Sequence, residues 1–232
     1  TEQGRKKEKS GLPAKMTSEN SDERITKPWK SEKDKFALAL LKWIVNSLEE
    51  KSTEQLWPLL VPPILTLVDD WETQYKQLGA ELLHSLLRAT PPTLLSRTGL
   101  GSVFEDALMP CLTYLPSLTP ESDSISILAA TYPALFTLIK TRFPITTSIP
   151  LKDPIRPNRI KSLDTILRKG ILHAYAHCGQ YPGITRILFL NLVPLLNDLG
   201  IDSVKHLQYI LPMLSETLTQ AAKAQQTDLL MA

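Results

Sequence analysis

Cysteine and glycine are scarce in this sequence, and neither sign of charge dominates it. The 232 residues include two Cys and nine Gly. Cys111 and Cys178 allow at most one disulfide, which excludes a disulfide-stapled secreted fold and favours a reducing compartment. The 26 Lys and Arg residues nearly balance the 24 Asp and Glu residues, for a formal net charge of +2. Composition therefore does not predict nucleic acid as the partner.

Long apolar segments are also missing. The longest uncharged apolar run, 56–68, is shorter than the roughly 18 residues that span a bilayer, and it contains three prolines. The first residues lack the apolar core of a secretion signal. The sequence thus predicts no membrane association. Because position 1 is Thr rather than Met, we expect the sequence to be a piece of a longer chain.

The first 35 residues differ from the rest in composition. They hold ten Lys and Arg and seven Asp and Glu, with few large apolar side chains. Such a segment buries too little surface to offset its ordering entropy, so residues 1–30 are predicted to be a flexible basic leader. A folded domain is expected over 31–232. Residues 36–232 carry a net charge of −1, so the slight excess of basic residues belongs to the leader.

From residue 31 onward, apolar residues recur at steps of three and four, which predicts an all-α fold. In the first helix, Phe36, Leu40, Trp43 and Ile44 are expected to face the core. Four prolines make 143–158 an exposed, extended loop. The predicted helices are 31–50, 52–68, 69–89, 102–115, 122–142, 158–178, 182–199 and 203–223, and a further helix begins near 229.

Three helix starts carry candidate capping boxes. Ser31 is followed three residues later by Asp34, Ser52 by Gln55, and Asp69 by Glu72. In this motif the first side chain accepts a free backbone N–H of the first turn. The Asp69–Asp70 pair is therefore interpreted as a helix junction rather than as a metal or acid–base site.

A short apolar phrase with a central proline occurs four times, around Pro62, Pro110, Pro194 and Pro212. The first two intervals, 48 and 84 residues, are near one and two units of 40–47 residues, but the last interval breaks the phase. A proline inside a helix removes a backbone hydrogen bond and bends the helix, as in the outer helix of a stacked helical hairpin. The alternative is that each proline marks a helix start.

Residues 58–83 (PLLVPPILTLVDDWETQYKQLGAELL) resemble a HEAT repeat: a leucine-rich helix, an acidic turn and a second helix with small residues. The resemblance implies a HEAT-like α-solenoid of antiparallel helix pairs. It also assigns Asp69, Asp70, Lys76 and Gly79 to the ladder that joins neighbouring repeats. Tyr75–Lys76 stands where that family more often has Val-Arg, so a bidentate pairing is lost there.

The blocks 61–70 (VPPILTLVDD) and 205–214 (KHLQYILPML) are similar to the Tel-two-interacting protein two family, a subunit of the Triple T complex. The resemblance implies a scaffold, not an enzyme, which binds the other helical-repeat subunits of that complex. Through the heat-shock-protein-ninety chaperone system it would support maturation of phosphatidylinositol-kinase-related kinases, and so telomere maintenance and the DNA damage response. It further implies a cytoplasmic and nuclear location, with no cofactor and no small-molecule substrate.

The candidate partner-binding residues are Trp71, Lys205, His206, Leu211 and Leu214. Trp71 stands between two acidic residues at a turn, and tryptophans supply much of the binding energy at protein interfaces. Lys205 and His206 match the second family block and are expected to orient the last repeat.

Two other functions have weaker support. His173 and His177 are four apart on a helix next to Cys178, a spacing that zinc sites use, but no further ligand accompanies them. Lys152, Arg156, Arg159 and Lys161 form a basic cluster that, with the leader, would suit an adaptor for nucleic acid or nuclear transport. No phosphate-binding glycine loop or nucleophile elbow is present in the sequence.

Overall fold

The computed structural model describes residues 28–30, 35–145 and 153–231. These residues form helices and connecting turns and no strand, which confirms the all-α class. The chain forms two compact units, 1–42 and 43–232. The leader predicted over 1–30 lies outside the described residues except for a 3₁₀ turn, Pro28–Lys30.

The α-helices of the described part are, in order, α1 Lys35–Asn46, α2 Glu50–Val68, α3 Thr73–Arg88, α4 Pro92–Thr98, α5 Gly101–Leu108, α6 Glu121–Arg142, α7 Arg156–Thr165, α8 His173–Cys178, α9 Pro182–Leu199 and α10 Leu207–Met231. The 3₁₀ segments Met109–Thr113 and Gly200–His206 follow α5 and α9. A π-helical stretch, Ile166–Leu172, joins α7 to α8 without a break.

The core is built around α6, which packs against α3, α4, α5, α7 and α9. Its apolar side chains point in several directions, and Ile127, Leu128, Tyr132 and Leu135 are all fully buried. Burial of each such side chain contributes about 1.5–3 kcal/mol before conformational entropy is subtracted. A helix that is apolar on most sides is stable only when neighbours surround it, and α6 meets that condition.

Helices α2 and α3 form a hairpin around the turn 69–72. Gly79 of α3 lies against the end of α2: a Cβ there would be 2.7 Å from the carbonyl carbon of Leu67 and 2.9 Å from Val68 Cα. Ala80 beside it is fully buried. The small residues at 79 and 80 therefore set the short separation between the two helices.

Three of the four recurring prolines, Pro62, Pro194 and Pro212, lie inside helices. Pro110 is the exception, because it occupies the second position of the 3₁₀ segment Met109–Thr113. The interpretation that these prolines mark helix starts is therefore wrong for Pro62, Pro194 and Pro212. Pro182, which begins α9, shows the helix-start role in this chain.

The predicted buried face of the first helix is wrong. Phe36 and Trp43 are each 67% exposed, whereas their neighbour Val45 is 2% exposed. Leu40 is exposed as well, and Ile44 is half-buried. Apolar periodicity shows that a helix has an apolar face, but not that the chain itself covers that face.

The Ser31–Asp34 capping box lies outside the described residues, and the other two capping boxes are corrected. Helix α2 begins at Glu50, and Ser52 Oγ donates to the carbonyl oxygen of Glu49 instead of accepting a backbone N–H. At the next junction the accepting carboxylate belongs to Asp70, whose Oδ1 lies 3.0 Å from the backbone N of Glu72. Asp69 is exposed.

Other boundaries moved for local reasons. The predictions omit α4, which begins at Pro92 and ends where Gly99 adopts a left-handed φ of 66°. The proline-rich segment ends earlier than predicted, because α7 begins at Arg156 and Asp153 before it is buried; residues 146–152 lie outside the described part. The helix predicted near 229 is the end of α10.

Two helical stretches, Glu121–Arg142 and Pro182–Gln220, are long and apolar enough to cross a membrane by length and composition alone. The first is α6, the core helix, so its apolar content is explained by burial in the protein. The second is interrupted at Gly200, whose φ is 55°, and by the 3₁₀ segment that follows, and it contains the charged residues Asp198, Asp202 and Lys205. The apolar length of these two stretches is weak evidence for a membrane span.

Candidate interaction surface

The turn between α2 and α3 brings together the residues assigned to the repeat ladder. Asp70 is fully buried and closes the turn through the backbone of Glu72. Lys76, 5% exposed, donates from Nζ to the carbonyl oxygen of Val68 at 2.5 Å. That carbonyl belongs to the last turn of α2, where helices lack internal donors and where a positive charge is favourable. Lys76 thus caps α2 from α3.

Lys76 also lies over an aromatic ring: its Nζ is 4.9 Å from the centroid of Tyr114. Tyr114 follows the 3₁₀ segment after α5, so the contact links the hairpin to the next part of the chain. A buried ammonium that has both a carbonyl acceptor and a ring face retains favourable electrostatics away from water.

Trp71 projects from the same turn and is 77% exposed. With Glu72, Thr73, Gln77 and Asp123 it lines a shallow cavity of about 580 Å³. Thr73 Oγ1 donates to Asp123 Oδ2 at 2.8 Å, which fixes the first turns of α3 and α6 beside each other. The surface is therefore an aromatic side chain on a rigid, mostly polar and acidic support.

A second candidate region centres on Asp164 of α7. Lys205 Nζ and His206 Nε2 lie 2.8 and 2.5 Å from the same oxygen, Asp164 Oδ1. Desolvation raises the pKa of Asp164, but the hydrogen bonds and charges of Lys205 and His206 outweigh it, so the pKa of this carboxyl is lowered. Both residues belong to the 3₁₀ segment Gly200–His206, so the prediction that they start the following α-helix is wrong. One carboxylate therefore holds the start of α10 against α7.

Tyr175 of α8 holds the middle of α10. Its hydroxyl lies 2.9 Å from Thr217 Oγ1 and 3.2 Å from the carbonyl oxygen of Met213. Its ring meets Phe189 of α9 edge to face, at a centroid distance of 6.2 Å. The inner face of α10 is correspondingly buried: Ile210 is 1% and Met213 4% exposed.

A neighbouring side of α10, which flanks this inner face, is apolar and largely exposed, and Val204 in the 3₁₀ segment before the helix continues it. We call Val204, Leu207, Leu211, Leu214 and Leu218 the outer stripe; they follow one another at steps of three and four. Leu211 is 57% and Leu218 69% exposed, while Leu214 is half-buried. Apolar residues at this spacing form the seam by which one helix packs on another. Of the predicted contact residues, Leu211 and Leu214 share this stripe, whereas Trp71 belongs to the other region.

The three side chains considered for a zinc site, His173, His177 and Cys178, lie in different environments. His173 and His177 are exposed with ring centroids 4.5 Å apart, whereas the Cys178 thiol is buried and donates to the carbonyl oxygen of Pro116 at 3.5 Å. Burial raises the pKa of Cys178. Over residues 28–30, 35–145 and 153–231, no group of three or more His, Cys, Asp or Glu side chains is placed to bind a metal.

The basic cluster is largely neutralised by neighbouring aspartates. Arg156 pairs with Asp202, and Arg159 is 8% exposed with Asp153 at 3.8 Å. Lys161 is exposed, and Lys152 lies outside the described residues. Two of the cations are therefore occupied within the fold, which weakens the cluster as a phosphate-binding surface.

Sequence reasoning missed Asp164 and Tyr175, the two residues that hold α10. Asp164 lies 41 residues before Lys205, and its only signal is that it is the one acidic residue between Asp153 and Asp198. Tyr175 lies between His173 and His177, whose spacing suggested a metal site instead. Long-range partners such as these leave no local pattern.

The model of the Tti2 family matches residues 1–224. The chain belongs to the Tti2 family. No solved structure matches the chain. Tti2 membership supports a role as a subunit of the Triple T complex, and the Tti2 family is a family of co-chaperone subunits rather than a known enzyme family.

Proposed function

We propose that this chain is a non-enzymatic scaffold of the Triple T co-chaperone complex, which supports maturation and stability of phosphatidylinositol-kinase-related kinases in the cytoplasm and nucleus. The observation that carries the proposal is the family match over residues 1–224. The helix pairs of this chain are proposed to stack as a HEAT-like solenoid. A stack of this kind presents extended surfaces and works by association.

The outer stripe is the proposed contact with another helical-repeat subunit of the complex. A leucine-rich face with Leu211 57% exposed and Leu218 69% exposed is unfavourable in water and is stabilised when a second apolar helix covers it. Asp164, Lys205 and His206 are positioning residues in this proposal, because they fix the start of the helix that carries the stripe.

Trp71 is the proposed second contact. Its exposed ring stands on the rigid junction of α2, α3 and α6, so little conformational entropy is lost when a partner packs on it. Asp69, Asp70, Lys76 and Gly79 keep the role of a structural ladder in this proposal. Asp70 accepts a hydrogen bond from the backbone N–H of Glu72 in the turn, and Lys76 donates to the Val68 carbonyl oxygen at the carboxyl end of α2.

The test is light scattering after size-exclusion chromatography of the chain mixed with the large helical subunit of the Triple T complex. We expect a mass equal to the sum of the two. Leu211→Asp should abolish the joint peak, because it places a charge in the apolar seam, while the circular dichroism spectrum stays helical. Leu118→Asp is the matched control, since Leu118 is 95% exposed and lies far along the chain from the stripe.

Three outcomes would contradict the proposal. Separate peaks from well-folded wild-type chains would show that family membership does not extend to binding in this chain. Equal loss of the joint peak in Leu118→Asp and Leu211→Asp would show that the stripe is not the contact. A turnover of nucleotide or ester substrates by the purified chain would contradict the non-enzymatic part.

A further inference from the structure

The helix that runs without a break through α7, the π-helical stretch and α8 belongs to a strongly basic part of the fold. Residues 154–197 contain six Lys and Arg residues and one acidic residue, Asp164, and thus have a net charge of +5. Residues 36–232 as a whole have a net charge of −1. Positive charge is therefore concentrated in one part of the chain, and such a region attracts anionic partners.

Five basic side chains on this helix are exposed. We call Lys161, Arg168, Lys169, His173 and His177 the basic ridge. All but Arg168 follow one another at steps of eight, four and four residues, which places them on one face of the helix. Arg168 and Lys169 belong to the π-helical stretch, a rare conformation that often marks functional positions. The ridge thus presents several basic groups together on the outer side of the helix.

The acidic side chains near the ridge are already engaged. Arg156, at the start of the same helix, pairs with Asp202. Asp164 is occupied by Lys205 and His206, which both contact its Oδ1. Within the part of the chain that the structure describes, the three Lys and Arg residues of the ridge have no ion pair. Their charges are therefore available to an anion from another molecule.

The ridge borders a cavity of about 420 Å³ beside the start of α10. Arg168 and Leu172 line it from the helix of the ridge, and Lys205 and Tyr209 line it from the 3₁₀ segment and α10. Asp164 takes one of the three N–H donors of Lys205, so two remain for another acceptor. Arg and Lys outnumber acidic side chains there by one, so one added carboxylate balances the charge, whereas a phosphate group of about −2 exceeds it.

The spacing of the ridge favours an acidic protein segment over nucleic acid. The five side chains span 161–177, about 24 Å of helix, so they lie on average about 6 Å apart. Alternate residues of an extended protein chain are about 6.6 Å apart. Duplex DNA carries one charge per about 1.7 Å, and three Lys and Arg residues would neutralise few of its phosphates. Carboxylates at every second residue of an extended segment therefore match the ridge better.

We propose that the basic ridge binds an extended acidic segment of a partner protein, with one carboxylate held between Arg168 and Lys205 and others along the rest of the ridge. The guanidinium of Arg168 suits a carboxylate because it donates two parallel hydrogen bonds. An apolar side chain beside that carboxylate packs on Leu172 and Tyr209 in the cavity. The site shares no residue with the outer stripe or the Trp71 surface, so it does not depend on the proposed function.

The probe is the capped peptide acetyl-Glu-Leu-Glu-Thr-Glu-Thr-Glu-amide, titrated into the full chain. The same peptide with Gln in place of Glu is the neutral control. We expect saturable shifts of the ring signals of His173 and His177 in NMR spectra, none of His84 in α3, and an affinity that falls as salt is added. Absence of shifts at the two ridge histidines, or equal binding of the neutral peptide, would overturn the proposal.

Two pairs of charge reversals locate the binding. Arg168→Glu with Lys169→Glu changes two exposed ridge residues, and we expect binding about tenfold weaker because attraction becomes repulsion. Arg88→Glu with Lys51→Glu is the matched control: it changes the same residue types and the same net charge at exposed positions of α3 and α2, and should bind as the wild type does. Equal weakening by the two pairs would show that the peptide follows overall charge, and would overturn the proposal.

Circular dichroism checks that each variant is folded. If the ridge reversal unfolds, Arg168→Gln with Lys169→Gln replaces it, and we expect binding about threefold weaker since two exposed charge pairs are lost. Unchanged binding in that folded variant would overturn the proposal.

Two other ligands complete the test. A short DNA duplex, and vesicles of phosphatidylserine and phosphatidylcholine in equal parts, are titrated into the wild type and the ridge variant. Weaker binding of both than of the acidic peptide supports a protein segment as the ligand. Tighter binding of either one, lost in the ridge variant, would overturn the proposal in favour of nucleic acid or a membrane surface.

Discussion

Helices α6 and α10 have similar apolar character but opposite surroundings. Ten of the 22 residues of α6 are buried, whereas over 207–220 of α10 only Ile210 and Met213 are. Five helices pack around α6, whereas α10 is held from one side by Asp164 and Tyr175. The first region uses its apolar surface for stability. The second leaves it available for binding.

The largest contrast between these regions is expected from leucine truncation. Leu135→Ala in α6 removes a fully buried side chain and should lower the free energy of unfolding by about 2–5 kcal/mol. Leu218→Ala in α10, at a side chain that is 69% exposed, should change it by less than about 0.5 kcal/mol. Urea denaturation followed by circular dichroism measures both. Similar losses in the two variants would show that α10 is covered in solution.

A second effect is expected where α3 touches α2. Gly79→Ala puts a methyl group within 2.9 Å of three backbone atoms of Leu67 and Val68, which cannot move as a side-chain end can. We expect a loss of about 1–3 kcal/mol in the free energy of unfolding, despite the better helix propensity of Ala. Gln74→Ala, at an exposed position of the same helix, is the control and should be near neutral. A more stable Gly79→Ala variant would contradict the close packing.

The third prediction concerns the attachment of α10 and its pH dependence. Asp164→Asn weakens the acceptor shared by Lys205 and His206, and we expect a loss of about 1–3 kcal/mol at pH 7. The pKa of Asp164 is lowered in the folded chain. The carboxylate therefore contributes its full stabilisation above the pKa of an unfolded Asp, about 3.9, and that stabilisation is lost as the pH falls through the folded pKa. The stability difference between wild type and variant should therefore shrink toward zero in strong acid.

Urea denaturation of both proteins at pH 7 and at progressively lower pH measures this difference. Hydrogen exchange places the effect: amides of α10 should lose protection in Asp164→Asn, while those of α6 should not. A difference that persists unchanged at acid pH would mean that the carboxylate charge is not what holds the helix. Uniform loss of protection would mean that Asp164 stabilises the whole fold instead.

The sequence predicted the helical class and most helix positions, because three- and four-residue apolar spacing is a local signal. It predicted α9 as 182–199, which is where the helix lies. It failed where the outcome depends on a distant neighbour: the exposure of Phe36 and Trp43, the choice of Asp70 over Asp69 as acceptor, and the role of Asp164. Leu211 could be proposed as a contact from the family block, and the structure leaves it 57% exposed. The carboxylate that positions its helix could not.

The smallest effect is expected from the hydroxyl that holds the middle of α10. Tyr175→Phe keeps the ring against Phe189 and removes only the polar contacts of the hydroxyl with Thr217, the Met213 carbonyl oxygen and Glu216 Oε2. We expect a loss of about 0.5–1.5 kcal/mol, the net contribution of one hydrogen bond, because Thr217 Oγ1 still donates to the Met213 carbonyl oxygen. Tyr181→Phe is the matched control, a half-buried tyrosine at the turn before α9. Equal effects of the two changes on hydrogen exchange in α10 would contradict a specific role for Tyr175; a selective effect would show that the inner face of α10 is held at two separate points, the Asp164 carboxylate and the Tyr175 hydroxyl.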